Sequence, residues 1–150
     1  MESAVPNYSD IMYRVEDGIA TITLNRPERL NAWTGRMGVE YFDAIDKAVA
    51  DTNVRVIVVT GAGKGYCAGA DMGTLQGIPT EKSADGKDDS NILEGRMQDE
   101  ITRISKPVIA AVNGAAAGLG LVQALMCDMR FAADTAKFTC AFSKRGLIAE

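Results

Sequence analysis

Two glycine-rich segments carry the residues best suited to chemistry in this chain of 150 residues. Each follows an apolar run: VRVIVVT leads into GAGKGYCAGADM at residues 54–72, and KPVIAAV leads into NGAAAGLGL at residues 106–121. Glycine and alanine let a ligand approach the main chain and leave backbone N–H groups free to point at it. Two convergent N–H donors can hold the negative charge that develops on a carbonyl oxygen. The alternative is that the glycines only permit tight turns, but the recurrence of the pattern favours a site.

The absence of histidine restricts the chemistry further. A Ser-His-Asp triad, a Cys-His pair and a histidine-ligated metal are excluded, and no metal site is expected. Proton transfer therefore falls to Asp, Glu, Lys, Tyr or Cys. The three cysteines, at positions 67, 127 and 140, lack CxxC spacing and are expected to be reduced, small core residues. GAGKG lacks the spacing of a phosphate loop, so a nucleotide site is not expected.

The composition is typical of one globular domain. Apolar residues make up 47% of the chain, and 16 basic and 20 acidic residues give a formal charge of −4, which disfavours a nucleic-acid partner. No apolar run approaches the length of a membrane span, and the first residues do not resemble a secretory leader. We therefore expect a cytoplasmic protein without a membrane partner.

An alternation of strands and helices is predicted to position the two segments. Alternating apolar residues on either side of Asp17-Gly18 predict a hairpin of strands 11–16 and 19–25. Helical spacing predicts a helix over 34–51 with Thr34 as its N-cap. A continuous apolar run predicts a buried strand at 54–60, and a helical period predicts a helix at 91–104. Further strands are predicted at 107–112, 128–133 and near Phe138, and a further helix at 118–127. The polar segment at 79–90 is expected to be a mobile surface loop, because it has little to bury.

Four motifs in collinear order resemble the enoyl-CoA hydratase/isomerase (crotonase) superfamily. They are NRPERLNA (25–32), GYCAGADM (65–72), KPVIAAVNGAAAGLG (106–120) and the stretch from Cys127 to Glu150. The resemblance implies an α/β fold, a spiral of repeated strand-strand-helix units, with one acyl-CoA-binding domain over residues 1–150. Family members continue into a C-terminal helical segment that closes the site and builds trimers. The resemblance therefore implies a chain truncated at that end, and a homotrimer or a dimer of trimers when intact.

The same resemblance assigns residues to a substrate site. The family stabilises a thioester enolate between two main-chain N–H groups, which match those of Ala70 and Leu119 here. The substrate, an acyl-CoA, brings its own coenzyme A, so no separate cofactor is implied. Other residues expected to contact the substrate are Arg26, Arg29, Ala68, Asp71, Met72, Gly73, Leu75 and Gly118.

Several of these assignments have a structural alternative. The two arginines, with Lys64, either meet the phosphates of coenzyme A or are solvated loop charges. Met72 and Leu75 either line the path of the acyl group and pantetheine or are ordinary core residues. Asp71 is expected to hydrogen-bond nearby backbone N–H groups rather than to transfer a proton.

Departures from the family pattern bear on the reaction. The glutamates that the hydratases use match Val122 and Phe142, and neither side chain can move a proton. Glu150 follows GLIA as in the isomerase branch and is the candidate base, with a solvated chain end as the alternative. The resemblance thus favours double-bond isomerisation of an acyl-CoA. The alternatives are a hydratase, hydrolase or decarboxylase of the same family, or a non-catalytic acyl-CoA-binding module.

Overall fold

Strands and helices alternate along the chain in the computed structural model, which describes residues 7–75, 96–142 and Gly146. The strands are β1 (Ile11–Glu16), β2 (Ile19–Leu24), β3 (Val56–Gly61), β4 (Gly65–Cys67), β5 (Val108–Val112), β6 (Ala115–Ala117), β7 (Met129–Ala132) and β8 (Phe138–Thr139). The helices are α1 (Gly35–Ala50), α2 (Met72–Leu75) and α3 (Leu119–Met126), with 3-10 turns at Pro27–Arg29 and Gln98–Arg103. None of the described helices is long and apolar enough to cross a membrane.

The predicted hairpin and first helix are confirmed. Strands β1 and β2 pair antiparallel around Asp17 and Gly18, whose φ angles of 51° and 81° are those of a tight hairpin turn. The hydroxyl oxygen of Thr34 accepts a hydrogen bond from Met37 N–H at 3.0 Å and so caps α1 as expected. The buried face of α1 packs on the sheet through residues at helical spacing: Met37, Tyr41, Phe42, Ala44, Ile45 and Ala48.

The strands form two sheets that explain the strand-strand-helix order. The larger sheet has the order β1-β2-β3-β5-β7, with every pair after the hairpin parallel. The smaller sheet has the order β4-β6-β8 and is parallel throughout. After the hairpin, each successive pair of strands therefore sends its first strand to the large sheet and its second, shorter strand to the small sheet. The predicted repetition of strand, strand and helix is confirmed by β3-β4-α2 and β5-β6-α3.

Three expectations need correction. The glycine-rich segments were predicted to be loops, but each begins with a short strand, β4 or β6. Three-residue strands show no alternation in sequence, and only their pairing with each other reveals them. Cys67 and Cys127 are buried as expected, but Cys140 is exposed, so the core interpretation is wrong for it. The chain forms a 3-10 helix at Gln98–Arg103, where the sequence predicted the end of a longer regular helix. The predicted loop at 79–90 lies outside the described residues.

Candidate functional site

The two predicted backbone donors lie where β4 and β6 end. The two strands are parallel neighbours, so the loops that follow them emerge at the same edge of the small sheet. The backbone of Gly69 touches the second loop, because a Cβ atom placed on it would lie 2.9 Å from the carbonyl oxygen of Ala117 and 3.6 Å from the nitrogen of Leu119. The structure therefore brings the segment of Ala70 against the segment of Leu119.

The loop that carries Ala70 is clamped by Trp33, a buried residue immediately before α1. Trp33 N–H donates to the Gly69 carbonyl oxygen at 2.8 Å, and Asp71 N–H donates to the Trp33 carbonyl oxygen at 2.9 Å. The hydrogen bonds thus flank Ala70 on both sides. Within the described part of the chain, Ala70 N–H itself donates no hydrogen bond. This leaves a backbone donor that is fixed in position and available to a ligand.

An ion pair between Arg26 and Asp71 supports the same loop. One guanidinium nitrogen lies 3.1 Å from the Asp71 carboxylate and donates to the Ala32 carbonyl oxygen at 2.6 Å. The side chains are only 18% and 12% exposed, so the interpretation of Arg26 as a solvated loop charge is wrong. The other carboxylate oxygen of Asp71 accepts from Gly73 N–H at 3.0 Å, which confirms the predicted hydrogen bond to nearby backbone.

The second donor stands at the first residue of α3. Gly118 precedes it with φ 50° and ψ −123°, a combination that strongly favours glycine, and its own N–H donates to the Thr139 carbonyl oxygen at 3.1 Å. Among the described residues, no acceptor is hydrogen-bonded to Leu119 N–H. Free N–H groups at the start of a helix carry partial positive charge, so this end of α3 favours a negatively charged oxygen.

The turn that leads into β4 is held by two asparagines that sequence reasoning did not assign to the site. Asn31 is completely buried, and its amide donates to the carbonyl oxygens of Ala62 and Gly65, both at 2.9 Å. The amide of Asn113 also donates to the Gly65 carbonyl oxygen, at 3.2 Å. The only signal in the sequence was the presence of an asparagine in each of two motifs.

The remaining predicted substrate contacts are spread around these loops. Ala68 and Met72 are exposed, so the core interpretation is wrong for Met72. Arg29 is exposed on the 3-10 turn, which packs against the turn bearing Lys64: a Cβ atom on Gly63 would lie 3.0 Å from Cβ of Pro27. The side chain of Leu75 and the whole of Glu150 lie outside the described residues.

The cysteine nearest the loops is unsuited to nucleophilic chemistry. Burial raises the pKa of the Cys67 thiol to about 11, although a hydrogen bond from the Gly69 backbone lowers it slightly. The thiolate is the reactive form of cysteine, and at neutral pH this thiol stays protonated. The functional groups that the described loops offer are therefore backbone N–H donors rather than a nucleophile.

Solved structures of similar sequence share this fold. An enoyl-CoA hydratase from Mycobacterium marinum superposes with a TM-score of 0.73 at 44% sequence identity, over 94% of this chain and 59% of that structure. A protein described as an enoyl-CoA hydratase/isomerase (crotonase) from Legionella pneumophila superposes with a TM-score of 0.79 at 34% identity, over 95% and 55% of the two chains. The spiral of strand-strand-helix units is therefore the crotonase fold, and this chain covers a little over half of each of these two structures.

Sequence relatives agree with the structural ones. The chain is 41% identical over 138 residues to the 1,2-epoxyphenylacetyl-CoA isomerase of Escherichia coli, covering 92% of this chain and 53% of the relative. It thus spans about half the length of the curated relatives it matches. The family model for enoyl-CoA hydratase/isomerase matches residues 14–150, and the chain belongs to that family.

Proposed function

We propose that this chain binds an acyl-CoA with the thioester carbonyl oxygen between the N–H groups of Ala70 and Leu119. The observation that supports the proposal is the contact of Gly69, the residue before Ala70, with the Ala117–Leu119 segment. Among the described residues, neither the Ala70 nor the Leu119 N–H donates a hydrogen bond. Such donors act most strongly when they are already in place before charge develops on the oxygen. Removing one donor from an oxyanion site typically raises the barrier by about 2.7–4 kcal/mol.

The rest of the substrate follows the surface of the same loops. Ala68, Met72, Gly73 and Leu75 line the path of the acyl group and pantetheine. Arg29 and Lys64 are exposed on neighbouring turns, and they are the residues that we assign to the phosphates of coenzyme A. Arg26 takes a different role from the one first expected, because its guanidinium is already engaged by Asp71 and the Ala32 carbonyl. It positions the loop of Ala70.

The reaction that this site serves best is double-bond isomerisation. Glu150 removes a proton from the carbon next to the thioester and returns it two carbons away, while the two N–H groups hold the dienolate oxygen. Val122 and Phe142 supply no proton-transfer group at the positions of the hydratase glutamates, which disfavours hydration. One relative is named a 1,2-epoxyphenylacetyl-CoA isomerase, so an acyl-CoA isomerase, although one named for an epoxide, is among the similar proteins.

A hydratase of the same family is the second candidate. A relative from Mycobacterium tuberculosis that is named an enoyl-CoA hydratase is also 41% identical to this chain, over 143 residues. A cytoplasmic homotrimer or dimer of trimers is the assembly that we propose for the whole enzyme. The apolar side chains of Met129 and Phe131 in β7 and of Phe138 in β8 are exposed, and this supports the packing of further polypeptide on these two edge strands.

The test is an assay of 3-enoyl-CoA conversion to 2-enoyl-CoA, run beside a binding titration. Glu150→Gln is expected to remove turnover and to leave the Kd for acyl-CoA within about threefold, because the oxyanion donors lie elsewhere. Glu16→Gln, on the exposed hairpin, is the matched control and should change neither quantity. An unchanged rate in the Glu150→Gln variant would rule out this base. Rapid hydration of 2-enoyl-CoA by the unmodified protein would favour the hydratase.

A further inference from the structure

A buried polar cluster lies directly behind the two donor loops. Gln123 of α3 is completely buried and accepts a hydrogen bond at its amide oxygen from the hydroxyl of Tyr66 in β4. Its amide nitrogen donates to the hydroxyl oxygen of Tyr41 in α1 at 2.9 Å. The two tyrosines are also completely buried.

Gln123 places a polar amide at a fully buried position of α3. The sequence of α3, LGLVQALM, is otherwise apolar, and an apolar side chain of the same size would need no hydrogen-bond partners there. A buried amide costs free energy unless its donor and acceptor atoms are satisfied. Here the two tyrosine hydroxyls and the sulfur of Cys127, 3.6 Å from the amide nitrogen, satisfy them. Burial raises the pKa of both tyrosines, so each keeps its proton throughout the physiological pH range. The hydrogen bonds of Gln123 to the two tyrosines therefore do not change with pH in this range, and they can hold α3 at a fixed distance from β4 and α1.

The hydrogen bond between Gln123 and Tyr66 joins the two elements that carry the donors. Gln123 lies about one helical turn after Leu119, and Tyr66 lies in the strand that runs into the loop of Ala70. The backbones of these elements are also in close contact, since a Cβ atom on Gly120 would lie 2.3 Å from the Cys67 carbonyl oxygen. Gly120 sets how closely α3 approaches β4, and the Gln123–Tyr66 bond sets how α3 is aligned along it.

We propose that Gln123 is a positioning residue that fixes the separation of Ala70 N–H and Leu119 N–H through its hydrogen bond to Tyr66. This inference rests on the proposed function, because it assigns a second layer of residues to the same oxyanion site. Oxyanion donors act at 2.7–3.1 Å, and a misplacement of about 0.5 Å is enough to weaken them. Tyr41 binds the amide nitrogen of the same glutamine, and this hydrogen bond connects α3 to α1 rather than to β4.

The test uses the full chain and a 2-enoyl-CoA labelled with ¹³C at the thioester carbonyl. The C=O stretching frequency in infrared difference spectra measures hydrogen bonding to the carbonyl oxygen, and a titration gives the Kd. In the unmodified protein the frequency is expected to fall on binding. Tyr66→Phe should lose at least half of this downshift while its Kd rises less than tenfold, because the contacts to coenzyme A remain.

Tyr41→Phe is the matched control. It removes the Tyr41 hydroxyl, which is the hydrogen-bond partner of the same glutamine on the side of α1. This variant should keep at least four-fifths of the downshift. Gln123→Met should behave as Tyr66→Phe does; where it fails to fold, the two tyrosine variants decide the matter. Melting curves are expected to show similar losses of Tm in the two tyrosine variants, so stability alone cannot account for the difference in the carbonyl band.

The outcomes separate the inference from the function on which it rests. An unmodified protein that binds acyl-CoA without a downshift lacks the oxyanion site, and the proposed function and the inference then fail together. A normal downshift in the unmodified protein that persists in Tyr66→Phe overturns the role of Gln123 alone. Equal losses of downshift in Tyr41→Phe and Tyr66→Phe would mark the cluster as a general core support and would likewise overturn it.

Discussion

The two loops that carry the N–H donors are held in position by different kinds of contact. Ala70 is held by partners far away in sequence: Trp33 on both sides of it, and Arg26 through Asp71. Leu119 is held by local geometry, since it begins a helix directly after a glycine whose backbone angles start that helix. The direction of the first donor therefore depends on tertiary contacts. The direction of the second donor depends on the start of the helix, while tertiary contacts such as the Gln123–Tyr66 hydrogen bond set where that helix lies.

This difference tells us where the site is vulnerable. A donor fixed by a helix start keeps its direction as long as the helix forms. A donor fixed by a clamp from the chain at 26–33 loses its position when any member of the clamp is removed. We therefore expect substitutions around Ala70 to affect stability and binding together, and a small side chain at Gly118, directly before Leu119, to have a smaller effect on stability.

Gly69→Ala is expected to have the largest effect. Its φ of 95° disfavours any side chain, and the new Cβ atom would lie 2.9 Å from the Ala117 carbonyl oxygen. Strain and clash together should lower the free energy of unfolding by about 4 kcal/mol and abolish acyl-CoA binding. Denaturant unfolding and a binding titration measure the two effects.

Gly118→Ala is the matched variant on the other loop. It also places a side chain at positive φ, but the nearest atom to its Cβ is Cα of Gly69 at an ordinary 3.9 Å. We expect a loss of about 1–2 kcal/mol from backbone strain alone. Equal losses in the two variants would contradict the asymmetry between the loops.

Arg26→Met tests the clamp from a distance. It leaves the Asp71 carboxylate, 12% exposed, without its cationic partner. The free energy of unfolding should fall by about 3 kcal/mol, at the lower end of the range for a broken buried pair, and acyl-CoA should bind about tenfold more weakly.

Arg29→Met, on the same turn, is the control for that stability change. The Arg29 side chain is exposed and makes no ion pair among the described residues, so its loss should cost less than about 0.5 kcal/mol. If Arg26→Met is as stable as Arg29→Met, the interpretation that the Arg26–Asp71 ion pair holds the Ala70 loop is wrong.

Alkaline pH should lower the free energy of unfolding through the buried thiol of Cys67, which lies three residues before Ala70. Burial raises the pKa of this thiol from 9.0 to about 11, so between these values the folded state holds a proton that the unfolded state has released. The contribution to stability is complete below pH 9 and is lost as the pH rises towards 11, by roughly 2–3 kcal/mol. Urea unfolding at several pH values measures the slope. Cys67→Ala should reduce the slope without abolishing it, because burial also raises the pKa of the Cys127 thiol, from 9.0 to about 12.

The same asymmetry explains how much of the molecule could be predicted from its sequence. The hairpin, α1 with its Thr34 cap, β3, β5 and the start of α3 follow from local periodicity and capping, and the structure confirms them. The short strands β4 and β6 follow only from pairing between distant segments, so periodicity could not reveal them. The site divides in the same way: the helix start at Leu119 was visible locally, whereas the pairing of Arg26 with Asp71 spans 45 residues and was not.

Gln123 shows the remaining limit of sequence reasoning. A single polar residue within the apolar helix LGLVQALM is a signal, but its meaning depends on two tyrosines that lie far away in sequence. A local pattern can show that such a residue needs partners, and only the packing of α3 on β4 and α1 can supply them.

Thr34→Ala should have a small effect on stability and separate the stability of α1 from the hydrogen bonds that hold the Ala70 loop. Thr34 follows Trp33 directly, caps α1 through Met37 N–H, and donates to the Asp10 carboxylate at 2.7 Å. Losing an N-cap of this kind costs about 1 kcal/mol, and Thr34→Ser should retain most of it because the hydroxyl remains. The backbone hydrogen bonds of Trp33 to the Ala70 loop do not involve the threonine side chain, so acyl-CoA should bind within about twofold of the unmodified protein. Titrations of both variants, beside unfolding curves, measure this; a tenfold weaker affinity in Thr34→Ala would mean that the clamp depends on the start of α1 rather than on Trp33 and Arg26.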